Sequence, residues 1–317
     1  MIGELKMLTK FHIHQTQEIK EYYEQNGYVI VSKLLDDTLI DHFLKQYNHF
    51  KKRRFYIFRS QDTNQRELLR TNGQGFMEHS IINPKDLLLA KSFTSTVEKC
   101  LTSSPVSEAL KLLSGKDKHT IWQNMFFDKS TGTVAHQDHY YLDTEPAGRL
   151  IAAWFALEDI HPDSGCFFVA PGSHRGEVIE NTPGVKLYAD HEDFVARTQR
   201  LIKDNDYYLK PCPLKKGDVL LWHPFTIHGA FENLNPQYSR KSLTAHFIPD
   251  SYKIRHHKEK FTETVPSCNP EILFWKRNLA KEYLEFFRGY AIYIFRKVTQ
   301  LQPMMEMRSF EYQKIKK

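Results

Sequence analysis

The sequence predicts a mostly β protein with helical additions at both ends, an antiparallel sandwich or barrel. Three observations predict it. From Thr120 the chain breaks into short apolar or alternating runs: "TIWQNMFF", "TVAHQD", "RLIAAWFALED", "CFFVA", "DVLLWH" and "KSLTAHFI". Turn signals such as "STG", "PDSG", "PGS" and "KKGD" separate them, which is strand punctuation. Few helical stretches lie between the runs, which argues against a βαβ sheet.

Taken in order, Glu18–Asn26 reads as a short helix closed by Gly27, the left-handed residue a helix end favours. "YVIVS" follows as a strand. Asp36 or Asp37 caps a helix running to Phe50, with Leu39, Ile40, Phe43, Leu44 and Tyr47 at helical spacing. Residues 51–80 are polar and basic and read as a loop able to cover a pocket. A further helix is expected around Pro105–Leu113. After Pro270 the aromatic, basic stretch "EILFWKRNLAKEYLEFFRGYAIYIFRKV" reads as helical, with Gly289 as a break. Without an internal repeat or low-complexity linker, residues 1–317 are expected to form one domain. Its parts are a helical support over 1–115, a β core over 116–250 and a basic aromatic tail over 251–317.

Composition sets the class. The chain has 317 residues, 41% hydrophobic and 26% charged, as soluble globular proteins do. The four cysteines, Cys100, Cys166, Cys212 and Cys268, form no C-x-x-C pair, which sets aside a zinc ribbon or dithiol motif. Their wide spacing fits reduced thiols and a cytoplasmic location. No leader is read in "MIGELKMLTKFHIHQ", and no run approaches the roughly 20 apolar residues of a spanning helix. The net charge of +6 resides in the tail, where residues 255–317 hold 13 Lys/Arg against 7 Glu. The balanced body offers no basic groove, so nucleic acid is not an expected partner. The tail's aromatics are expected to pack onto the barrel or a second subunit, with membrane contact as the alternative. A monomer or homodimer is expected.

Three His-x-Asp pairs compete for a metal: His136/Asp138, His161/Asp163 and His191/Asp193. On a strand, residues i and i+2 point to one face and aim at one ion. His136 and Asp138 end a plausible strand. His161-Pro162-Asp163 sits in a turn, and His191-Glu192-Asp193 reads as a helix start, where i and i+2 diverge. Two His and one carboxylate with open positions make the facial triad of iron(II) oxygenases. Candidates for the third ligand are His223, His228 and His246.

"WQNMFFDKSTGTVAHQDHYY", "AAWFALEDIHPDSGCFFVAPGSHRGEV", "KKGDVLLWHPFTIHGAFEN" and "SRKSLTAHF", in that order, resemble the phytanoyl-CoA dioxygenase (PhyH-like) family. The resemblance runs from about Thr120 to Pro249 and, more weakly, over Tyr22–Phe43. It implies a double-stranded β-helix (jelly-roll, cupin-like) core and an enzyme using Fe(II), 2-oxoglutarate and O2. It assigns the metal to His136, Asp138 and His228, leaving His223 a structural or supporting role. Arg240, with Ser242 two residues on, matches the family's cosubstrate carboxylate clamp; Trp154 and Met125 match positions lining that pocket. The family's upstream cosubstrate lysine has no counterpart near "GQGFMEHS". With Asp138 present, oxidation of a C–H bond is implied rather than halogenation. His139, Tyr140 and Tyr141 follow the metal pair and are candidate substrate contacts. The expected substrate is a small metabolite of a specialised biosynthetic pathway, hydroxylated or dealkylated with release of succinate and CO2. The alternatives are a fatty acyl-CoA 2-hydroxylase and a non-catalytic cupin-like metal-binding protein.

Overall fold

A computed structural model describes residues 8–53, 55–181, 190–255 and 263–299. Part of the stretch read for a leader (1–7) and the end of the basic tail (300–317) lie outside the described residues. The N-terminal elements follow the sequence closely. Helix α1 (Thr16–Asn26) ends on Gly27 at φ 75°, and strand β1 (Tyr28–Val31) follows. Helix α2 (Asp37–Phe50) is capped by Asp36, whose carboxylate accepts from the backbone N–H of Thr38 and Leu39.

Residues 51–80 are not a plain loop. They hold a hairpin of β2 (Ile57–Arg59) and β3 (Arg66–Leu68). The strands are short and half polar, so alternation does not announce them. After β4 (Ile81–Ile82) comes helix α3 (Lys91–Leu101), which sequence reading does not anticipate. Its Thr and Val residues lower helix propensity, yet Phe93, Val97 and Leu101 fall on one buried face, and packing prevails. Helix α4 is Ser104–Ser114.

The β region follows as β5 (His119–Phe127), β6 (Thr144–Glu145), β7 (Ile151–Ala156) and β8 (Phe167–Val169). Helix α5 (His191–Asp204) intervenes, beginning at the second decoy pair. Then come β9 (Lys210–Pro211), β10 (Val219–Trp222), β11 (His228–Ala230), β12 (Ser242–Pro249) and β13 (Lys253–Ile254). "EILFW" corrects the helical expectation. It forms β15 (Ile272–Trp275), paired with β14 (Thr264–Pro266) and parallel to β5 at the sheet edge. Only then does helix α6 (Leu279–Thr299) begin. Gly289 does not break it. A Cβ there would lie 2.6 Å from Arg66 Cδ, so this glycine lets α6 approach β3 closely.

The jelly roll is a large sheet ordered β1-β10-β7-β12-β5-β15-β14, with β4 on β5, facing a small sheet ordered β11-β8-β9. Strict alternation divides the large sheet's side chains. Val29, Ala153, Phe155, Leu221, Leu243 and Phe247 join the core beneath the helices. Tyr28, Ala152, Trp154, Leu220 and Trp222 face the small sheet and pack on Phe167 and Val169. On β12 that inner face carries Ser242, Thr244 and His246 instead of hydrocarbon. Buried polar side chains are retained only where they find partners, so this inner face marks a site.

Candidate metal centre and cosubstrate pocket

His136 and Asp138 reach each other by a different route from the expected strand. Among the described residues "TVAHQD" makes only an isolated bridge, His136↔His228, and Asp138 opens a short 3-10 turn, Asp138–Tyr140. The segment is extended up to Gln137 (φ −108°, ψ 131°), which keeps the i, i+2 relation. Gln137 points the other way and pins three loops. Its amide donates to the carbonyls of Glu177 and Phe225 and accepts from Ile179 N–H.

His228 begins β11, held opposite His136 by reciprocal backbone bonds of 3.0 Å. Gly229 makes that approach feasible. A Cβ there would sit 2.8 Å from Phe168 Cζ and 3.0 Å from the carbonyl oxygens of Thr133 and Val134. The His-Gly pair of the sequence therefore has a steric reason.

His136, Asp138 and His228 each offer a ligand atom within 4.8 Å of the others. Each ring's Nδ1 faces a backbone carbonyl, Val134 O at 2.8 Å for His136 and Thr226 O at 2.9 Å for His228. Those carbonyls fix Nδ1 as the N–H, leaving the Nε2 lone pairs aimed inward. They lie 3.6 and 3.5 Å from Asp138 Oδ1. Three lone-pair donors converging on one point repel one another unless a cation lies among them, so the residues fit a divalent ion. Burial pushes the His228 imidazole down to about 3, so the ring is neutral and can ligate. Burial alone would raise the Asp138 carboxyl. The His228, His246 and His136 imidazoles outweigh it and hold the group well below the usual range. Its other oxygen, Oδ2, accepts from Trp222 Nε1–H at 2.9 Å.

One cavity of about 190 Å³ contains all three residues. Arg240 lies in its wall, 2% exposed, with Phe127 and Trp154 rings at 5.4 and 5.8 Å. Its Nε has no hydrogen-bond partner, and no described carboxylate pairs with the guanidinium. Burial lowers it to about 10, so it is cationic at neutral pH. A buried cation without an anion is costly, and an entering carboxylate would answer it bidentately.

Comparison with known proteins decides the family. The phytanoyl-CoA dioxygenase (PhyH) profile matches residues 23–242. The chain belongs to the phytanoyl-CoA dioxygenase family. It is thus a 2-oxoglutarate-dependent non-haem iron dioxygenase, with Fe(II), 2-oxoglutarate and O2 as the cofactor set. It is 24% identical over 246 residues to human peroxisomal phytanoyl-CoA dioxygenase, covering 73% of this chain and 68% of that one. It is 32% identical over 162 residues to bovine phytanoyl-CoA dioxygenase domain-containing protein 1. That match spans only about half of either protein, 47% of this chain and 52% of the relative. Two solved structures share the fold. The epimerase SnoN, in complex with Fe3+, alpha ketoglutarate and nogalamycin RO, aligns at TM-score 0.55 and 17% identity, over 82% of this chain and 98% of that one. EctD from S. alaskensis, with 2-oxoglutarate and 5-hydroxyectoine, aligns at 0.55 and 15%, over 79% and 81%.

The other expected site residues scatter more. Met125, Trp154 and Tyr141 line the cavity. Ser242 does not reach it; its hydroxyl donates to the Arg240 carbonyl, 3.3 Å away. Thr244, one step along the same strand face, lines the wall instead. His139 and Tyr140 also leave the cavity. His139 is buried against Asp143 at 2.6 Å and meets Arg255 and Glu180. Tyr140 stacks on Phe194 at 3.8 Å. They depart because the chain turns helical at Asp138 and alternation ends there. His223 packs against Tyr23, His174 and Phe225, away from the cavity, and burial lowers it to about 4. His161 is half-buried and stacks on Tyr238, away from the cavity.

Four further contributors line or support the site. The sequence offered His246 only as a candidate ligand and residues 51–80 only as a pocket-covering loop, and it gave no role to Trp222 or His191. Trp222 holds the carboxylate. The hairpin residues Gln61, Asp62 and Asn64 line the rim, and His191, the decoy histidine, enters the wall and pairs with the Tyr141 hydroxyl at 2.7 Å. His246 lies beside the triad, Nε2 3.5 Å from Asp138 Oδ1 and Nδ1 buried without a partner. Period-2 alternation from Arg240 is the signal that could have found Thr244 and His246 together.

Proposed function

We propose that this chain oxidises an unactivated C–H bond of a small metabolite that carries no phosphate, by hydroxylation or hydroxylation-driven dealkylation in a specialised biosynthetic pathway. His136, Asp138 and His228 hold the iron, and Arg240 receives the far carboxylate of 2-oxoglutarate. The observation that carries this reading is the unpaired Arg240 guanidinium buried in the same cavity as the His-Asp-His set. Bound iron(II) with 2-oxoglutarate and O2 supplies the oxidising equivalent, releasing succinate and CO2. The protein's own groups do the positioning. Val134 O and Thr226 O orient the imidazoles, and Trp222 fixes the carboxylate. Phe127, Trp154 and Phe167 keep the interior dry.

The lining also bears on the substrate. Besides Arg240 it contains no Lys or Arg among the described residues, and its rim is amide, hydroxyl and carboxylate. A cavity of about 190 Å³ is small beside the roughly 300–1,000 Å³ usual for ligand sites. Both features favour a compact, uncharged or cationic substrate. The named activity of the phytanoyl-CoA relatives keeps a fatty acyl-CoA 2-hydroxylase as the second reading. The free cysteines, three of them buried, support a cytoplasmic location.

The test supplies the chain with Fe(II), 2-oxoglutarate, O2 and either a metabolite extract or fatty acyl-CoAs. Mass spectrometry then follows a substrate gaining one oxygen or losing a small carbon unit. Loss of product in His136→Ala with retention in His161→Ala supports the site. Oxidation of the acyl-CoA arm alone selects the second reading. Absence of both succinate formation and iron binding would overturn the oxygenase assignment.

A further inference from the structure

Three imidazoles surround Asp138 Oδ1, with Nε2 of His136, His228 and His246 at 3.6, 3.5 and 3.5 Å. What their other nitrogens face sets them apart. Nδ1 of His136 and of His228 meets a backbone carbonyl, which leaves the Nε2 lone pair for a metal. Nδ1 of His246 is buried and meets no acceptor among the described residues. A proton there would be a buried donor with nothing to receive it, so the ring carries its proton on Nε2. His246 therefore enters the metal centre as an N–H donor, not as a lone pair. It also stays outside the trio whose ligand atoms lie within 4.8 Å of one another.

The strand aims this donor into the cavity. Arg240 just before β12, and Thr244 and His246 on it, fall at even spacing and line one cavity. A cation thus stands at one end of that face and an N–H beside the metal ligands at the other. The β12–β5 register slips at this place. His246 pairs with Gln123 and Phe247 with Ile121, so Trp122 is the extra residue of a bulge. Bulges bend a strand locally and re-aim its side chains. Across the other edge the partner is Ala152, whose methyl leaves the imidazole room. A metal competes for the lone pairs of Asp138 Oδ1, and the buried His246 N–H then requires a further acceptor in the cavity.

We propose that this acceptor is the keto-acid end of 2-oxoglutarate, the end that binds iron. One strand then holds the cosubstrate at both ends, Arg240 at the far carboxylate and His246 at the keto acid. The inference rests on the placement of iron and of Arg240 proposed above. The His246 N–H fixes the orientation of the keto acid and draws electron density from it, as a donor to an anionic acceptor does.

Full-length protein is saturated with Fe(II) without oxygen and titrated with 2-oxoglutarate, and the visible iron-to-keto-acid charge-transfer absorption is recorded. Wild type should develop the band. A donor to the keto acid lowers its acceptor orbital, so His246→Leu should move the band to shorter wavelength. The same variant should bind 2-oxoglutarate about tenfold more weakly, the worth of one hydrogen bond to a charged group. His246→Gln, whose amide N–H reaches the place of Nε2, should keep band and affinity near wild type. A second measurement needs no variant. In Zn(II)-loaded wild type carrying isotopically labelled histidine, nuclear magnetic resonance should find the His246 proton on Nε2, and 2-oxoglutarate should shift it downfield. A proton on Nδ1, or one that does not respond to 2-oxoglutarate, overturns the proposal. So does a Leu variant that matches wild type at saturating iron, or equal changes in the Gln and Leu variants. A wild type without the band would overturn the placement of iron and cosubstrate itself, and this inference with it.

Discussion

At the residue scale the site rests on a few unshared hydrogen-bonding atoms, and each yields a test. Replacing Arg240 by Gln removes the one buried cation that faces the cavity among the described residues. The Michaelis constant for 2-oxoglutarate should rise roughly 10- to 100-fold, the worth of a charge-assisted pair. Iron affinity, measured by competition with a chelator, should not change, because Arg240 touches no ligand atom. Trp222 and His246 act on the other side of the centre. Trp222→Phe frees Asp138 Oδ2, so iron affinity should fall about 10- to 100-fold with cosubstrate affinity nearly intact. His246 Nε2 contacts the oxygen that faces the imidazoles. Gln places an amide N–H near that atom and Leu does not. His246→Gln should thus hold iron close to the wild-type level, while His246→Leu loses about tenfold. Equal affinities in the two variants would show that His246 only fills space.

Elements carry these residues, and their legibility in sequence differs for physical reasons. Strands β7, β10 and β12 alternate between two buried faces, so their apolar runs announced them. The α2 cap at Asp36 was legible because capping is a local hydrogen bond. Gly229 was legible as half of a His-Gly motif, but its reason was not, since the carbonyls it avoids belong to Thr133 and Val134. The hairpin was missed because its strands are three residues long and half polar, and β15 because what makes it a strand is a partner far along the chain, β5, while its sequence also suits a helix. His139 and Tyr140 were named because they directly follow the metal pair, but the 3-10 turn at Asp138 carries them off the cavity wall while Tyr141 returns to it. Gly229→Ala tests the element scale directly. The added methyl must push β11 off the 133–134 segment, costing about 1–3 kcal/mol of stability as overpacking does. It should also separate His228 from His136, so metal affinity should fall further than Trp222→Phe makes it fall. A variant that melts lower yet binds iron normally would show that the strand yields without moving its histidine.

For the whole molecule, buried histidines outside the metal centre link stability to pH. Burial lowers both His119 and His223 from 6.5 to about 4. Between those values the unfolded chain binds protons that the folded chain refuses, so stability falls as pH drops from 6.5 toward 4. Above 6.5 the pair has no effect. Each group costs at most about 1.4 kcal/mol per pH unit across that window. His79 works the other way. Although burial opposes its charge, the Asp62 carboxylate at 2.7 Å raises it, so its contribution is present below 6.5 and fades as pH rises through the folded value. His174 and His191, also lowered by burial, add to the pair against His79, so acidification brings a net loss. Urea unfolding of the metal-free chain at about pH 7.5 and about pH 5 should show that loss, at most roughly 4 kcal/mol from the two histidines before His79 offsets part of it. The double variant His119→Gln/His223→Gln should flatten the profile, and His79→Gln should steepen it. An unchanged slope in the double variant would move the acid sensitivity to the remaining histidines, His174, His191 and those of the metal centre. Saturating divalent ion would then restore stability at about pH 5 by roughly 2.7 kcal/mol at a hundredfold excess over its dissociation constant.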